Sequence, residues 1–268
     1  KLIQLNKQKL KVGISVGDPN GIGIEVILKS FQNPQMLKLF NPLIFANIEI
    51  IEYQMRHFNI NLELNSIQTI EKICNDRVNV FNLTTDDFKH TFGEATIQGG
   101  RVALNSLLAS TKALKSGEVD ALVTGPINKK NILSEKFNFV GHTEFLSDYF
   151  SSKSLMFMIG KNLKIGLLTD HIPIDKVSSS VTKKLLREKI LKMIKSMQND
   201  FLIPKPKIAI LGLNPHAGDS GLIGNQDEKI IKPVIKELNK ENNYIFGPFS
   251  ADSFFVKVNL DKYDAVLA

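Results

Sequence analysis

The chain has 268 residues, a net charge of +7 and 43% hydrophobic residues; that composition excludes a disordered segment and leaves room for one large domain or two. No run approaches the roughly 18 apolar residues of a membrane span, and Cys74 is the only cysteine, so neither a disulfide framework nor a thiolate zinc site forms within one chain. The lysine excess is scattered, with no arginine-rich arm and no basic run interleaved with aromatics, so nucleic acid is not an expected partner. A modest positive field suits small anions such as phosphates instead. With one cysteine and no charged-then-apolar leader, a reducing cytoplasm is the expected compartment.

Taken in order, Lys11–Val16 reads as a buried strand. It feeds Gly17-Asp18-Pro19-Asn20-Gly21-Ile22-Gly23 and a helix to about Leu39. Glycines here fit a tight turn against a helix N-terminus, where free amides attract anions. The pattern is neither a P-loop nor the dinucleotide fingerprint. A strand is expected over Pro42–Ala46, a helix over Ile50–Phe58 and a strand over Arg77–Phe81. Thr96–Lys115 has helical spacing, with Gly117 as its stop. Asp120–Thr124 is the next strand, followed by Gly125-Pro126-Ile127-Asn128-Lys129, which sets a cation beside a strand end. Gly141-His142-Thr143-Glu144 then opens a helix, with Thr143 as its expected N-cap.

In the second half, Ser154–Ile159 and Leu163–Leu168 read as paired strands around Gly160-Lys161-Asn162. The second runs into Thr169-Asp170-His171-Ile172-Pro173. Thr182–Gln198 is an amphipathic helix, and Lys207–Leu211 a short apolar strand. That strand opens a glycine-rich loop, 212–224, holding Asn214-Pro215-His216-Ala217-Gly218, before a helical stretch from Asp227 to Glu241. The glycines are expected to let the backbone approach a ligand. Residues 247–253 form a final loop carrying Asp252.

The alternation of strand and helix predicts an α/β fold. Residues 1–132 are expected to form one lobe and 133–268 a second, with a cleft between them. The chain opens on Lys1 and ends on Tyr263-Asp264-Ala265-Val266-Leu267-Ala268, which resembles the strand start Val119-Asp120-Ala121-Leu122-Val123. A fragment that stops within a core strand is therefore the expectation.

His142, His171, His216 and Asp252 all fall at strand-to-loop junctions, which crowd together at one edge of an α/β sheet. Two neutral imidazoles with open positions suit a divalent metal, and Asp252 or a residue beyond Ala268 is the expected source of a third ligand. There is no His-Glu-x-x-His helix and no Gly-x-Ser-x-Gly elbow, which argues against a zinc protease and a serine hydrolase. The residues alone point to a metal-assisted enzyme acting on a small anion. A non-catalytic metal- or anion-binding module is the rival reading.

The set of motifs beginning Gly17-Asp18-Pro19, Thr124-Gly125-Pro126, Gly141-His142-Thr143, Asp170-His171-Ile172-Pro173 and Asn214-Pro215-His216, followed by Gly247-Pro248 and Ala251-Asp252-Ser253, resembles the 4-hydroxythreonine-4-phosphate dehydrogenase family. The match runs in order along nearly the whole chain. It implies an isocitrate/isopropylmalate-dehydrogenase-like fold and a homodimer with its site at the subunit interface. It further implies an NAD(P) cofactor at unassigned residues and a zinc, magnesium or cobalt ion held by His171 and His216. By the same resemblance His142 and Thr143 hold the substrate, and Asp252 is a candidate catalytic group. The implied reaction oxidises 4-phosphooxy-L-threonine, and the β-keto acid product then loses carbon dioxide. A paralogue acting on a phosphorylated D-threonate or sugar acid is the alternative. The family's third metal-binding histidine, and further substrate-contacting residues, are expected beyond Ala268.

Overall fold

The computed structural model describes residues 9–85, 88–133 and 137–268. The chain forms two compact units, one ending at Lys153 and the other spanning Ser154–Ala268. Each is built on its own five-stranded sheet.

In the first unit, β1 (Lys11–Ser15), β2 (Asn41–Ala46), β3 (Leu64–Ile67), β4 (Val78–Asn82) and β5 (Ala121–Thr124) lie in the order β3-β4-β2-β1-β5. All pairings are parallel. Every residue of β2 is buried. Its side chains alternate, Ile44 and Ala46 entering one core cluster with Ile14, Val16 and Val80, and Leu43 and Phe45 another with Ile67 and Val119. Burial on both faces is what a parallel sheet covered by helices requires.

Helix α1 (Gly23–Ser30) stops short of the predicted end, and α2 (Gln35–Leu39) restarts after Pro34, which cannot continue a helix. Helix α3 (Ile48–His57) is capped by Asn47, whose side chain accepts from the Glu49 amide at 2.8 Å. Helix α4 (Ile97–Lys115) is capped by Thr96, and Gly117 follows its end at φ 74°. Ser106 pins α4 to the sheet: its hydroxyl accepts from the Val16 amide at 2.9 Å and donates to the Phe45 carbonyl at 2.6 Å. Strand β3, Leu-Asn-Ser-Ile, is too short and polar to have been read from the sequence.

The predicted break at residue 132 differs from the observed division after Lys153. Helix α5 (His142–Tyr149) belongs to the first unit because Phe137 and Phe145 pack with Ala103, Leu104 and Leu107 of α4. Burying two phenyl rings there is worth several kcal/mol, on the order of 1.5–3 each.

The second unit has β6 (Phe157–Gly160), β7 (Leu163–Gly166), β8 (Lys207–Leu211), β9 (Tyr244–Phe249) and β10 (Ala265–Leu267) in the order β6-β7-β10-β8-β9. Only the β6–β7 hairpin is antiparallel. Ile208 and Ile210 of β8 face Leu186, Ile190 and Met193 of α7 (Lys183–Asn199) and Val234 and Leu238 of α8 (Lys232–Lys240). The alternate residues Ala209 and Leu211 face Phe254 and Val266 on the other side. A short helix α6 (Ile174–Ser180) precedes α7, and α9 (Ala251–Phe254) and α10 (Lys257–Leu260) precede β10.

Gly247, Pro248 and Phe249, expected in a loop, complete β9. An edge strand tolerates proline. Gly247 has φ 123°, and a Cβ there would sit 2.4 Å from the Ile210 carbonyl oxygen, so the crossing with β8 admits no side chain. Among the described residues no helix is long and apolar enough to cross a membrane.

Candidate functional site

In the first unit the chain leaves β1 toward β2 on one side, whereas β5 lies on the other side of β1. The crevice beyond the carboxyl ends of β1 and β5 is therefore the switch point at which open α/β sheets bind ligands. The loop after β1 is stapled by Asp18, only 6% exposed. Its carboxylate accepts from the Asn20 amide at 3.0 Å and from Asn131 Nδ2 at 2.8 Å. Asn20 in turn donates to Thr96 Oγ1 at 3.1 Å and accepts from the Thr91 amide at 3.0 Å. The glycines at these two strand ends pack against the backbone of the neighbouring strand-end loop. A Cβ on Gly17 would lie 2.2 Å from the Pro126 carbonyl, and one on Gly125 2.5 Å from the Val16 carbonyl.

Downstream of β5, His142 occupies the first turn of α5 beside Thr143. The cap is Gly141, with no side-chain bond to the helix, so the expected capping role of Thr143 is not what the structure shows. The reason is register: the helix begins one residue before Thr143, whose backbone is already helical. His142 Nε2 is buried and has no hydrogen-bond partner. Burial pushes its pKa below the ordinary value, keeping the ring neutral. A neutral imidazole with an unused nitrogen beside free helix amides is chemically suited to hold an oxygen-rich anion.

In the second unit, His171 follows β7 and His216 follows β8, the two strands that flank β10. Both strands run parallel to β10, so both histidine loops leave the same edge of the sheet. Strands two places apart are separated by about 10 Å. Both imidazoles are exposed, and both residues have left-handed backbones, at φ 51° and 52°. Asp252 lies in α9, which packs on the turn carrying His216. The Ser250 hydroxyl donates to its carboxylate at 2.6 Å. That bond, helped by the nearby His216 ring, holds Asp252 below the usual carboxylate range and therefore ionised at neutral pH.

For a metal, the donor chemistry of two exposed imidazoles at the ends of the two strands that flank β10 is suitable. Among the described residues, however, no three His, Cys, Asp or Glu side chains come together. The set is thus two nitrogen donors, one fewer than the three protein ligands of a catalytic zinc site.

Sequence reasoning missed the residue that organises the His216 loop. Asp227 is 0% exposed and begins a π-helical turn, Asp227–Ile231, that leads into α8. Its carboxylate accepts from the Leu213 amide at 2.9 Å, the Asn214 amide at 3.2 Å and Asn214 Nδ2 at 2.8 Å. A carboxylate at a helix start reads from sequence as a partner of the helix dipole. The Asp18-x-Asn20 spacing, in contrast, is a visible signal for a side-chain-to-backbone turn.

The family model for the pyridoxal phosphate biosynthetic protein PdxA matches residues 38–268. The chain is 36% identical over 266 residues to a 4-hydroxythreonine-4-phosphate dehydrogenase from Bacteroides thetaiotaomicron, covering 98% of this chain and 73% of that enzyme. It is 31% identical over 265 residues to a putative D-threonate 4-phosphate dehydrogenase from Clostridium botulinum, covering 96% of this chain and 78% of that protein. Among solved structures, a 4-hydroxythreonine-4-phosphate dehydrogenase from Burkholderia phymatum superposes with a TM-score of 0.86 at 24% identity, over 97% of this chain and 80% of that one. The α/β architecture is thus the isocitrate-dehydrogenase-like one expected from the sequence. By sequence and by fold, the chain belongs to the PdxA family of pyridoxal phosphate biosynthetic proteins.

Proposed function

We propose that the protein is an NAD(P)-dependent dehydrogenase that oxidises 4-phosphooxy-L-threonine to 2-amino-3-oxo-4-phosphooxybutanoate. That product loses carbon dioxide to give 3-amino-2-oxopropyl phosphate, on the route to pyridoxine 5'-phosphate. The observation that carries this reading is the 36% identity, along 98% of the chain, to an enzyme of that name.

In this reading His142 and Thr143 bind the substrate near its phosphate. The buried, unpartnered Nε2 of His142 at a helix start supports that role. His171 and His216 hold a divalent zinc, magnesium or cobalt ion, supported by their shared sheet edge and their exposure. Such an ion, when bound, lowers the pKa of the C3 hydroxyl and stabilises the negative oxygen. A nicotinamide cofactor, when bound, would supply the hydride acceptor, taking the hydride from C3 as the hydroxyl gives up its proton, so that the alcohol becomes a ketone. Asp252, ionised and on the helix packed against the His216 turn, is the candidate catalytic group and adds negative charge beside the site. Holding the phosphate away from the reacting carbon supplies orientation, which is worth several kcal/mol, on the order of 7 or more in favourable cases. The enzyme works as a cytoplasmic homodimer with its site at the subunit interface, as the family resemblance implies.

A second reading, oxidation of D-threonate 4-phosphate, is favoured by the relative at 31% identity. The test is formation of reduced nicotinamide by the purified protein with each substrate, with NAD or NADP and each metal. Preference for 4-phosphooxy-L-threonine supports the first reading and preference for the D-threonate ester the second. No turnover of either by folded protein rejects both in favour of a binding module.

A further inference from the structure

The turn that carries His216 is left-handed through five consecutive residues. His216, Ala217, Gly218, Asp219 and Ser220 have φ of 52°, 51°, 81°, 41° and 56°, with ψ of 28°, 40°, −2°, 60° and 25°. Four of them carry a Cβ, which in this region costs roughly 1–2 kcal/mol per residue. Such a turn persists only if its surroundings over-determine it.

The surroundings converge on Asp227. Its three hydrogen bonds come from Leu213 and Asn214, the residues that enter the turn. Two glycines of the loop press on the same carboxylate: a Cβ on Gly212 would lie 2.9 Å from Oδ1, and one on Gly218 3.3 Å from Oδ2. Asn214 continues the chain of contacts, donating through Nδ2 to Gln226 Oε1 at 3.0 Å while its carbonyl accepts from the Ala217 amide at 3.0 Å. Among the described residues no cation pairs with Asp227. The donors of the loop are therefore what compensates a fully buried carboxylate. The dependence is mutual, since the loop needs the acceptor and the acceptor needs the loop.

We infer that Asp227 is a positioning residue that acts through the left-handed turn to present the His216 imidazole at the sheet edge. In its metal-binding consequence this rests on the proposed role of His216; in its backbone consequence it does not. Replacing Asp227 by Asn keeps the volume but turns an N–H₂ toward backbone amides that need an acceptor.

The experiment compares wild type, D227N, H216A and the double variant of the full chain. It reads cobalt(II) affinity from the visible spectrum, and amide hydrogen exchange over residues 213–221. Folding is checked by circular dichroism. D227N is expected to bind cobalt about ten-fold more weakly. Its Leu213, Asn214 and Ala217 amides are expected to exchange faster, while the β8 amides keep wild-type protection. The double variant is expected to bind no more weakly than H216A, because both changes remove one interaction. Folded D227N with wild-type exchange in the turn, or losses that add in the double variant, would overturn the inference. If wild type binds no cobalt, the metal reading fails and exchange alone decides the role of Asp227. If D227N does not fold, N214A, which removes the side-chain bonds to the carboxylate and to Gln226 but keeps both backbone bonds to Asp227, takes its place. It should show the same changes at smaller size, and wild-type behaviour in N214A overturns the inference.

Discussion

The loops after β1 and β8 solve the same problem in opposite ways. Each is a glycine-rich connection from a buried strand to a helical element, and each is stapled by a buried aspartate, Asp18 or Asp227. After β1, the left-handed residue is a glycine, Gly17 at φ 70°, and the backbone there lies directly against Pro126. After β8, left-handed geometry falls largely on residues with side chains, one of them His216. The first loop places its unusual backbone where it costs least. The second places it on an exposed imidazole, and local strain of that kind is characteristic of functional sites.

The sharpest way to break this comparison is to add a methyl group to the first loop. G17A would put Cβ at 2.2 Å from the Pro126 carbonyl with φ positive. We expect destabilisation above about 4 kcal/mol, read as a shifted denaturation midpoint or loss of folded protein. Near wild-type stability would mean that this loop has slack. Next in size, D18N should cost about 2 kcal/mol, because Asn keeps only one acceptor oxygen, so either the Asn20 amide or the Asn131 side chain is left facing an N–H₂ group. Chemical denaturation measures it, and an unchanged midpoint would show that Asp18 is not a staple.

The converse substitution in the second loop should be small and opposite in sign. S220G relieves a left-handed side chain and is expected to stabilise by at most about 1 kcal/mol. Clear destabilisation in the same denaturation assay would show that Ser220 is not strained.

The smallest effect concerns pH. Burial lowers the pKa of His142 from its ordinary 6.5, so the unfolded chain takes up that proton at a higher pH than the folded one. This residue therefore makes stability fall as pH drops below about 6.5, levelling off once the folded imidazole also charges. Melting curves from pH 8 to pH 5 should show a shallower fall in H142N than in wild type. Equal slopes would remove the buried, neutral state assigned to this ring.

Most of the framework was legible because apolar runs ended at recognisable stops. Lys207–Leu211 is β8 residue for residue, and Thr96 and Thr182 cap α4 and α7 through their side chains. The likeness between the starts of β5 and β10 also has a structural basis. Asp120 accepts from the Lys11 amide at 2.7 Å and Asp264 from the Lys207 amide at 2.8 Å, each fastening a strand to the start of its neighbour. What escaped was set by tertiary contact. The glycines of both loops face the protein's own backbone and side chains, α5 joins the first unit through an aromatic cluster, and Asp227 is buried under a loop that precedes it. No local pattern announces a left-handed run made mainly of ordinary residues. For the site, the junction residues His142, His171, His216 and Asp252 were visible as residue types at strand ends, whereas the buried Asp227 network that shapes the His216 loop was not.

The most direct test compares turnover of 4-phosphooxy-L-threonine by wild type and H216A, with nicotinamide cofactor and saturating divalent metal. His216 is exposed, so its removal should leave the fold intact. Activity is expected to fall by at least about 100-fold, because stabilisation of the developing alkoxide is lost. Equal rates for the two proteins would contradict the claim that the strained turn exists to present this imidazole.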